Sequence, residues 1–376
     1  MFSVGVIGGG QLARMMHPAA IALGIELKVF AEAEGSSAAS ATTKVGDYTQ
    51  LEQLSEFARS VDVITFDHEH VPVRLLEQLE ASGVSVQPPS KALMHAQNKL
   101  VMRSKLSELG LPQPRWEEIR SADQLGKFIA EVGGEAIVKT PIGGYDGKGV
   151  RVVRAAGDVQ DWLENLPEYG GSLLAEEKVD FVRELAQLSA TSPSGEFRPW
   201  PVVQTVQADG VCSEVIAPAP APVDGAEAER IAQEVAAGLG VTGVLAVEMF
   251  ETRAGKLLVN ELAMRPHNSG HFSIEASVTS QFEQHLRAGL DLPLGAPDLT
   301  SPAAVMINLL GVDETNDFVS HYPIAMRQFP TAKFHSYEKA ARAGRKMGHI
   351  TLQGDDFSQL VSQGQAARSL LYRGDA

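Results

Sequence analysis

Residues 137–153, IVKTPIGGYDGKGVRVV, decide how the chain is to be read. The flanks EAIVK and GVRVV are short and rich in β-branched residues, so they read as two antiparallel strands with a glycine-rich tip between them. Glycines leave backbone N–H groups bare, and Lys148 adds an ammonium; together they can approach a phosphate closely. The Walker A pattern G-x-x-x-x-G-K-[ST] nevertheless fails, because Gly143 and Gly144 lie too near Gly147 and Gly149 stands where a metal-binding hydroxyl is needed. The reading is a hairpin flap that closes over a nucleotide, not a strand-to-helix phosphate loop.

Outward from the flap, residues 116–175 read as a small α+β unit that carries it. Before that unit the chain alternates apolar strand and amphipathic helix: SVGVIGG, a helix from about Gln11, IELKVFA, VDVITFD, a helix near 73–82, and VSVQP. This is the βαβ rhythm of a parallel sheet covered by helices on both faces. Pro18 is expected to shorten or kink the first helix. A single helix is expected over 90–109, stopped by Gly110, with LPQP as a hinge behind it. After the flap unit strands dominate, from LLAEEKVDFVREL through WPVVQTVQ, GVCSEVIAP, GVLAVEMF and KLLVNELA. One helix among them places Ile231, Val235 and Leu239 on a core-facing stripe ended by Gly240. Strands AVMINLLG and KMGHITLQ and a closing helix complete the chain.

With 376 residues the chain is long enough for two or three packed units and a large core. Apolar residues make up 44% and charged residues 21%, and no apolar run is long enough to span a membrane. Cys212 is the single cysteine, which excludes internal disulfides, and the N-terminus lacks the pattern of a signal peptide. A cytoplasmic protein is expected. A net charge of −15 argues against broad binding of nucleic acid or anionic membrane, so a phosphate ligand has to be met by a local basic cluster.

Four constellations carry chemistry. In VGVIGGGQLARMM, Gly8, Gly10 and Ala13 satisfy G-x-G-x-x-[GA] between strand and helix, with Glu32 near the end of the second strand. That is a dinucleotide fingerprint in form and supports an NAD-dependent oxidoreductase as a rival reading, but it dictates only a tight turn aimed at an anion. VLAVEMF and LLVNELA read as two strands joined by a turn around Arg253-Ala254-Gly255, and Glu248 is expected opposite Glu261 as a cross-strand neighbour. Such a pair repels unless a cation lies between, and oxygen ligands suit Mg²⁺. Asn260 adds an amide oxygen only if its strand is irregular there; a solvated acidic hairpin is the plain alternative. The loop AMRPHNSGH crowds Arg265, His267, Asn268, Ser269 and His271 into a donor-rich run able to hold a small anion. In AEEKVDFVRE, Glu176 and Lys178 share one strand face and Glu177 the other; such a segment can bond an adenine edge and ribose hydroxyls, but a charge-rich edge strand is the commoner explanation for the run. ARAGRKMGHITL supplies a basic cluster of Arg342, Arg345, Lys346 and His349.

Taken together, GVIGGGQLARMM, KTPIGGYDGKGV, GVLAVEMF, VNELAMRPHNSGH, TSQFEQHLRA, LDLPLG and RKMGHI resemble, in order and over nearly the full length, the 5-(carboxyamino)imidazole ribonucleotide synthetases of the ATP-grasp superfamily. The resemblance implies an α/β and α+β ATP-grasp fold with a Rossmann-like pre-ATP-grasp domain (1–112), a small flap domain (113–176) and a C-terminal antiparallel-sheet domain (177–376). It implies conversion of 5-aminoimidazole ribonucleotide, bicarbonate and ATP into the carbamate, ADP and phosphate in purine biosynthesis, by way of carboxyphosphate.

Roles follow from the same resemblance. Lys139 and Lys148 contact ATP phosphates, with Gly143, Gly144, Tyr145, Asp146, Gly147 and Gly149 as the flap, and Lys99 stands where many relatives carry arginine. Glu176, Glu177, Lys178 and Val179 bracket the adenine, and Glu184 holds the ribose. Glu248 and Glu261 ligate Mg²⁺, with Mn²⁺ as a substitute and Asn260 beside them. Gly10, Gln11 and Leu12 meet the ribonucleotide phosphate with Arg345 and Lys346; Glu69, Tyr145 and Asn268 approach the substrate. Arg265 and His267, with Lys148, serve the bicarbonate and carboxyphosphate chemistry. A homodimer is implied as well, with small-molecule substrates and neither nucleic acid nor membrane as partners.

Overall fold

Alternating strands and helices in the first hundred residues produce a parallel sheet. Its strands are β1 (Ser3–Ile7), β2 (Glu26–Ala31), β3 (Thr42–Val45), β4 (Val63–Phe66) and β5 (Ser85–Val86), in the order β3-β2-β1-β4-β5. Helices α1 (Gln11–Leu23), α2 (Leu51–Ala58) and α3 (Val73–Ala81) connect them. The structure, a computed structural model, describes residues 1–144, 149–208, 210–312 and 317–374. Strand order reverses between β1 and β4, and ligands of open parallel sheets bind beyond the strand ends at such a reversal. Helix α1 runs through Pro18 without ending there.

The helix expected over 90–109 is two helices, α4 (Ser90–Gln97) and α5 (Lys99–Glu108). Asn98 between them is extended, and its side-chain oxygen accepts from the N–H groups of Leu100 and Val101. An asparagine that caps the following helix cannot also continue the preceding one. The turn points α5 toward the flap unit, and Gly110 ends it in the left-handed region (φ 67°).

The flap unit is an antiparallel sheet of β6 (Trp116–Ile119), β7 (Ala136–Lys139), β8 (Val150–Val153) and β9 (Leu173–Glu177), in the order β6-β9-β7-β8. Helices α6 (Ala122–Glu131) and α7 (Gln160–Glu164) cover it, burying Phe128, Ile129 and Trp162. Strands β7 and β8 form the expected hairpin, with Lys139 opposite Val150. The expected strand through LLAEEKVDFVREL is broken after Glu177, where the chain leaves this sheet for the next.

That sheet contains β10 (Phe181–Thr191), β11 (Phe197–Pro199), β12 (Val203–Ala208), β13 (Val211–Ala217), β14 (Gly243–Thr252), β15 (Leu257–Ala263), β16 (Ala303–Leu310), β17 (Lys333–Ser336) and β18 (Lys346–Gly354). Its order is β15-β14-β10-β12-β13-β16-β18-β17, with β11 paired to β10. Helix α8 (Gly225–Leu239) buries Ile231, Val235 and Leu239 as expected. They join one core with Leu54 and Leu76 of the first unit and Val247 and Val259 of β14 and β15, so the parallel sheet and the large sheet are packed together. Helices α9 (Ser273–Ala276) and α10 (Gln281–Gly289) follow β15, and α11 (Tyr322–Gln328) and α12 (Phe357–Arg373) lie in the last third. The β17–β18 connection reaches back to the first unit: Ser37 Oγ donates to Tyr337 O at 2.6 Å, and Arg14 pairs with Glu338 at 2.8 Å.

A buried histidine fastens the two sheets. Val244 N–H donates to His285 Nδ1 (3.0 Å), so the ring proton sits on Nε2 facing Thr65 Oγ1 at 2.7 Å. Burial pulls the His285 pKa from 6.5 down to about 4. Because the folded value is the lower one, the unfolded chain takes up a proton first, and folding loses stability as pH falls from 6.5 toward 4. The loss from this group is about 3 kcal/mol. We predict that His285→Gln, measured by urea unfolding, is less stable than the parent at pH 7 but loses less stability between pH 7 and pH 4.5.

Candidate active site

Two cavities share a wall. One, of about 600 Å³, lies beyond the C-terminal ends of β1 and β4 and is lined by Gln11, Leu12, Asp67, Glu69, Arg265 and Lys339 among others. The other, of about 530 Å³, lies between the flap sheet and the large sheet, with Lys139, Val179, Phe181, Glu184, Phe250 and Asn260 on its walls. Lys99, Glu248, Glu261, His267, Asn268 and Lys346 line both.

The acidic pair at this junction comes from β14 and β15. From the turn outward, Glu251 faces Leu257, Phe250 faces Leu258 and Met249 faces Val259; continued without a break, that register sets Glu248 against Asn260. It breaks between Met249 and Glu248, and Glu248 pairs with Glu261. The expected pairing is present, but a bulge at Asn260 produces it rather than a symmetric turn. A bulge lets two consecutive residues oppose one partner. Asn260 Oδ1 consequently accepts from Lys139 Nζ (3.1 Å) while Glu261 pairs with Lys99 (3.1 Å). The irregularity that an Asn260 ligand required is there.

Glu248 faces His267 Nε2 at 3.0 Å. Burial pushes its carboxyl up, but the hydrogen bond and charge of His267, with Lys346 and Arg265, outweigh this and hold it below the usual range. Ser269 Oγ lies 2.8 Å from His267 Nδ1, and Ser269 N–H points to the same nitrogen, which leaves the ring proton on Nε2 toward Glu248. Glu184, on neighbouring β10, is pushed up by burial and by the charge of Glu248. Burial drives the Cys212 thiol up to about 12, so it is no nucleophile at neutral pH.

Lys139 is fixed by a buried acid. Glu176 Oε2 lies 2.8 Å from Lys139 Nζ, and Glu176 Oε1 accepts from Arg103 Nε at 2.6 Å. The remaining guanidinium donors of Arg103 reach Val259 O (2.7 Å) and Asn260 O (2.8 Å), at the bulge. Glu176 and Glu177 line the second cavity, but the Glu176 carboxylate is spent on these cations. Lys178 lies past the end of β9 and pairs with Glu135, so it does not share a strand face with Glu176.

The glycine turn after β1 is already filled by acids. Gly9 N–H donates to Glu32 Oε2 (3.1 Å) and Ala13 N–H to Asp67 Oδ1 (2.8 Å). A Cβ at Gly10 would lie 1.9 Å from Asp67 Oδ2, so only glycine fits. The hydrogen bond from His68 is the main cause holding Glu32 down at about pKa 2. Glu32 therefore braces the turn and His68, which removes the dinucleotide reading's ribose ligand. Burial pushes Asp67 up, against the hydrogen bond from Ala13.

Of the residues named for the ribonucleotide, Gln11, Leu12, Glu69, Asn268 and Lys346 line the first cavity, and so do Gly143 and Gly144 of the flap. Glu69 accepts from Met264 N–H (2.7 Å) and lies 3.3 Å from Arg265 Nε. Gly10 serves by its lack of a side chain. Arg345 bonds back to Ala340 O and is not on either wall. His349 of the basic cluster is fully buried and held neutral by burial, so it is not a cationic partner for phosphate. Tyr145, Asp146, Gly147 and Lys148 lie outside the described residues; Gly149, just after them, has φ 75°.

The sequence matches known proteins along its length. Residues 1–97 match the ribonucleotide synthetase preATP-grasp domain, 104–282 the ATP-grasp domain, and 304–363 the phosphoribosylaminoimidazole carboxylase C-terminal domain. The N5-carboxyaminoimidazole ribonucleotide synthase of Mycobacterium tuberculosis is 50% identical over 379 residues, covering 99% of this chain and 88% of that protein. The chain belongs to the N5-carboxyaminoimidazole ribonucleotide synthase family. Its fold is the ATP-grasp fold of these synthases. The Aspergillus clavatus enzyme complexed with ATP superposes with a TM-score of 0.89 at 33% identity, covering 99% of this chain and 98% of that one. The same enzyme with ADP and 5-aminoimidazole ribonucleotide gives 0.89 at 32%, covering 99% of each chain.

For this synthase family member, sequence reasoning missed Arg103, Asp67 and Lys339. Arg103 reads as an ordinary helix charge because its partners are 73 and 156 residues away. Asp67 stood in the same run as Glu69, and Lys339, bonded to Gln11, lay just ahead of the basic cluster. We predict that Arg103→Met costs about 3–5 kcal/mol in denaturant unfolding, because it strands a buried carboxylate and two carbonyls.

Proposed function

We infer that this chain is an ATP-dependent carboxylating ligase that makes N5-carboxyaminoimidazole ribonucleotide from 5-aminoimidazole ribonucleotide and bicarbonate for purine biosynthesis. The observation that carries the reading is the pair of cavities meeting over Glu248 and Glu261. A phosphoryl donor and an acceptor substrate need separate chambers with one common wall, at which the transferred group changes hands. In this proposal the second cavity takes ATP and the first takes the ribonucleotide. The division of labour follows units 1–112, 113–176 and 177–376.

Lys139 and Lys99 face the triphosphate, and Lys339 and Lys346 the ribonucleotide phosphate, with the free amides of the Gln11 turn. Glu177, Lys178 and Val179 border the adenine, and Glu184, on the same wall, the ribose. Glu248, Glu261 and Asn260 offer oxygen donors only, the set a hard divalent ion prefers, and their present partners are two lysines and the Nε2 of His267. Bound there, Mg²⁺, or Mn²⁺ in its place, offsets charge on the phosphoryl oxygens during in-line transfer. A bicarbonate oxygen attacks the γ-phosphorus, ADP leaves, and the bicarbonate proton departs to a base. Arg265, beside Glu69, and His267, proton on Nε2, orient that anion. The amine then attacks the carboxyl carbon, directly or after release of CO₂; the carbon–oxygen bond to phosphate breaks, and the amine gives up one proton to the released phosphate.

The mixed anhydride hydrolyses in water, so solvent has to be excluded before the amine attacks. The β7–β8 hairpin is suited to that exclusion, because Gly143 and Gly144 line the first cavity and Val150 the second, so the flap spans both. A cytoplasmic homodimer completes the proposal; for the dimer the support is the family resemblance alone.

The test is phosphate release from ATP by the purified chain. It is expected to require Mg²⁺ and to need bicarbonate and 5-aminoimidazole ribonucleotide together, and Glu261→Gln is expected to lower kcat roughly 10²–10³-fold. Equal stimulation by glycinamide ribonucleotide, or NADH oxidation without ATP turnover, overturns the reading.

A further inference from the structure

Away from both cavities, Glu275 of α9, His335 of β17 and His349 of β18 place one ligating atom each within 4.8 Å of one another. The two histidines are direct cross-strand partners, so their side chains share a face of the sheet. Their rings lie 4.2 Å apart and 10° from parallel. His335 Nε2 lies 2.6 Å from Glu275 Oε1. The other oxygen, Glu275 Oε2, is buried with no hydrogen-bond partner.

His349 is 0% exposed, and its Nε2 also has no partner. Its Nδ1 lies 2.7 Å from the hydroxyl of Tyr337. In the tautomer that carries its proton on Nδ1, toward the Tyr337 oxygen, Nε2 keeps a bare lone pair, which is how metal-binding imidazoles are supported. A buried lone pair without a donor is costly, and so is a buried carboxylate oxygen without one. His271, whose ring lies 5.3 Å from that of His349, is different. Gln281 Oε1 accepts from His267 N–H, which fixes the amide, and Gln281 Nε2 then donates to His271 Nδ1. The His271 proton is therefore on Nε2, and the ring is a donor rather than a ligand.

We propose that Glu275, His335 and His349 form a transition-metal site, for Zn²⁺ or a cation of like preference, distinct from the Mg²⁺ position. Two imidazoles and one carboxylate suit Zn²⁺ and leave a fourth position for water, whereas Mg²⁺ prefers oxygen alone. The ion takes the place of the hydrogen between His335 Nε2 and Glu275; the His335 ring, still neutral, carries its one proton on Nδ1 instead, and it tilts out of its stack to direct Nε2 at the metal. None of the three residues lines either cavity. The site joins α9 to the β17–β18 hairpin, whose connection carries Lys339 and whose second strand begins at Lys346. Metal binding stiffens the arm that brings both lysines to the first cavity.

The test uses the full chain, dialysed against chelator and then equilibrated with Zn²⁺ in excess Mg²⁺. About one Zn²⁺ per chain is expected, with a higher melting temperature. Glu275→Gln and His335→Asn are each expected to weaken Zn²⁺ binding roughly 10–100-fold or more, while Glu248→Gln leaves it unchanged. His335 is partly exposed, so its variant remains readable if Glu275→Gln misfolds. Co²⁺ should give visible absorption bands that His335→Asn abolishes. No bound Zn²⁺ in the parent chain, or equal affinity in Glu275→Gln and His335→Asn, overturns the site.

Discussion

Glu176 is almost entirely buried and ionised, and the geometry around it explains how. Burial alone drives a carboxyl to take up a proton, yet Lys139 and Arg103 hold this one down at about pKa 2. Such a pairing gains little unless every remaining donor is satisfied. Arg103 meets that condition because its other nitrogens end on two consecutive carbonyls of β15. One side chain on α5 thus ties the inner strand β9 of the flap sheet to the edge strand β15 of the large sheet, and Asn98, by ending α4, sets the angle at which α5 arrives.

The same contact reaches the bulge. Arg103 holds the carbonyl of Asn260, and Lys139 holds its side chain, so the residue that breaks the β14–β15 register is fixed at both ends. Had the register run on unbroken past Met249, Glu248 would face the amide of Asn260, and Glu261 would turn to the opposite side of the sheet, since a one-residue slip reverses every side chain beyond it. The acidic pair at the junction of the two cavities is therefore a product of long-range packing, although both acids sit in one short hairpin.

This is why the sequence showed the parts better than their assembly. The parallel sheet, the flap hairpin and the α8 stripe follow from local periodicity, and the structure contains all three. The strand at 173–185 and the helix at 90–109 each read as one element. Glu177 changes sheets and Asn98 changes caps, and neither change leaves a mark in apolar spacing. The acidic pair was legible as a pair, but the symmetric turn alone leads Glu248 to Asn260, and the bulge carries the pairing on to Glu261. Arg103 was invisible because burial of a charged helix residue depends on what folds over it. Glu32 misled for a related reason: its position fits a ribose ligand, while its environment gives it His68 and Gly9.

Charge accounts for the character of the site. The chain carries a net −15, yet its proposed ligands are polyanions. Lysines alone would be drawn toward the surrounding acids; here Lys139 and Lys99 are each given a defined one. Lys139 has Glu176, Lys99 has Glu261, and His267 has Glu248. Lys339 has the neutral Gln11. Under the proposed reading, Lys99 would turn to the triphosphate, and Glu261 and Glu248 would hold the divalent ion that offsets its charge. Glu176, too deep to meet the ion, keeps Lys139 in place throughout. Exchange of partners between charges that are already desolvated avoids much of the cost of burying new ones, and it asks for little movement beyond the flap. A site built this way binds phosphate strongly at one point while the surface around it stays acidic and repels polyanions elsewhere.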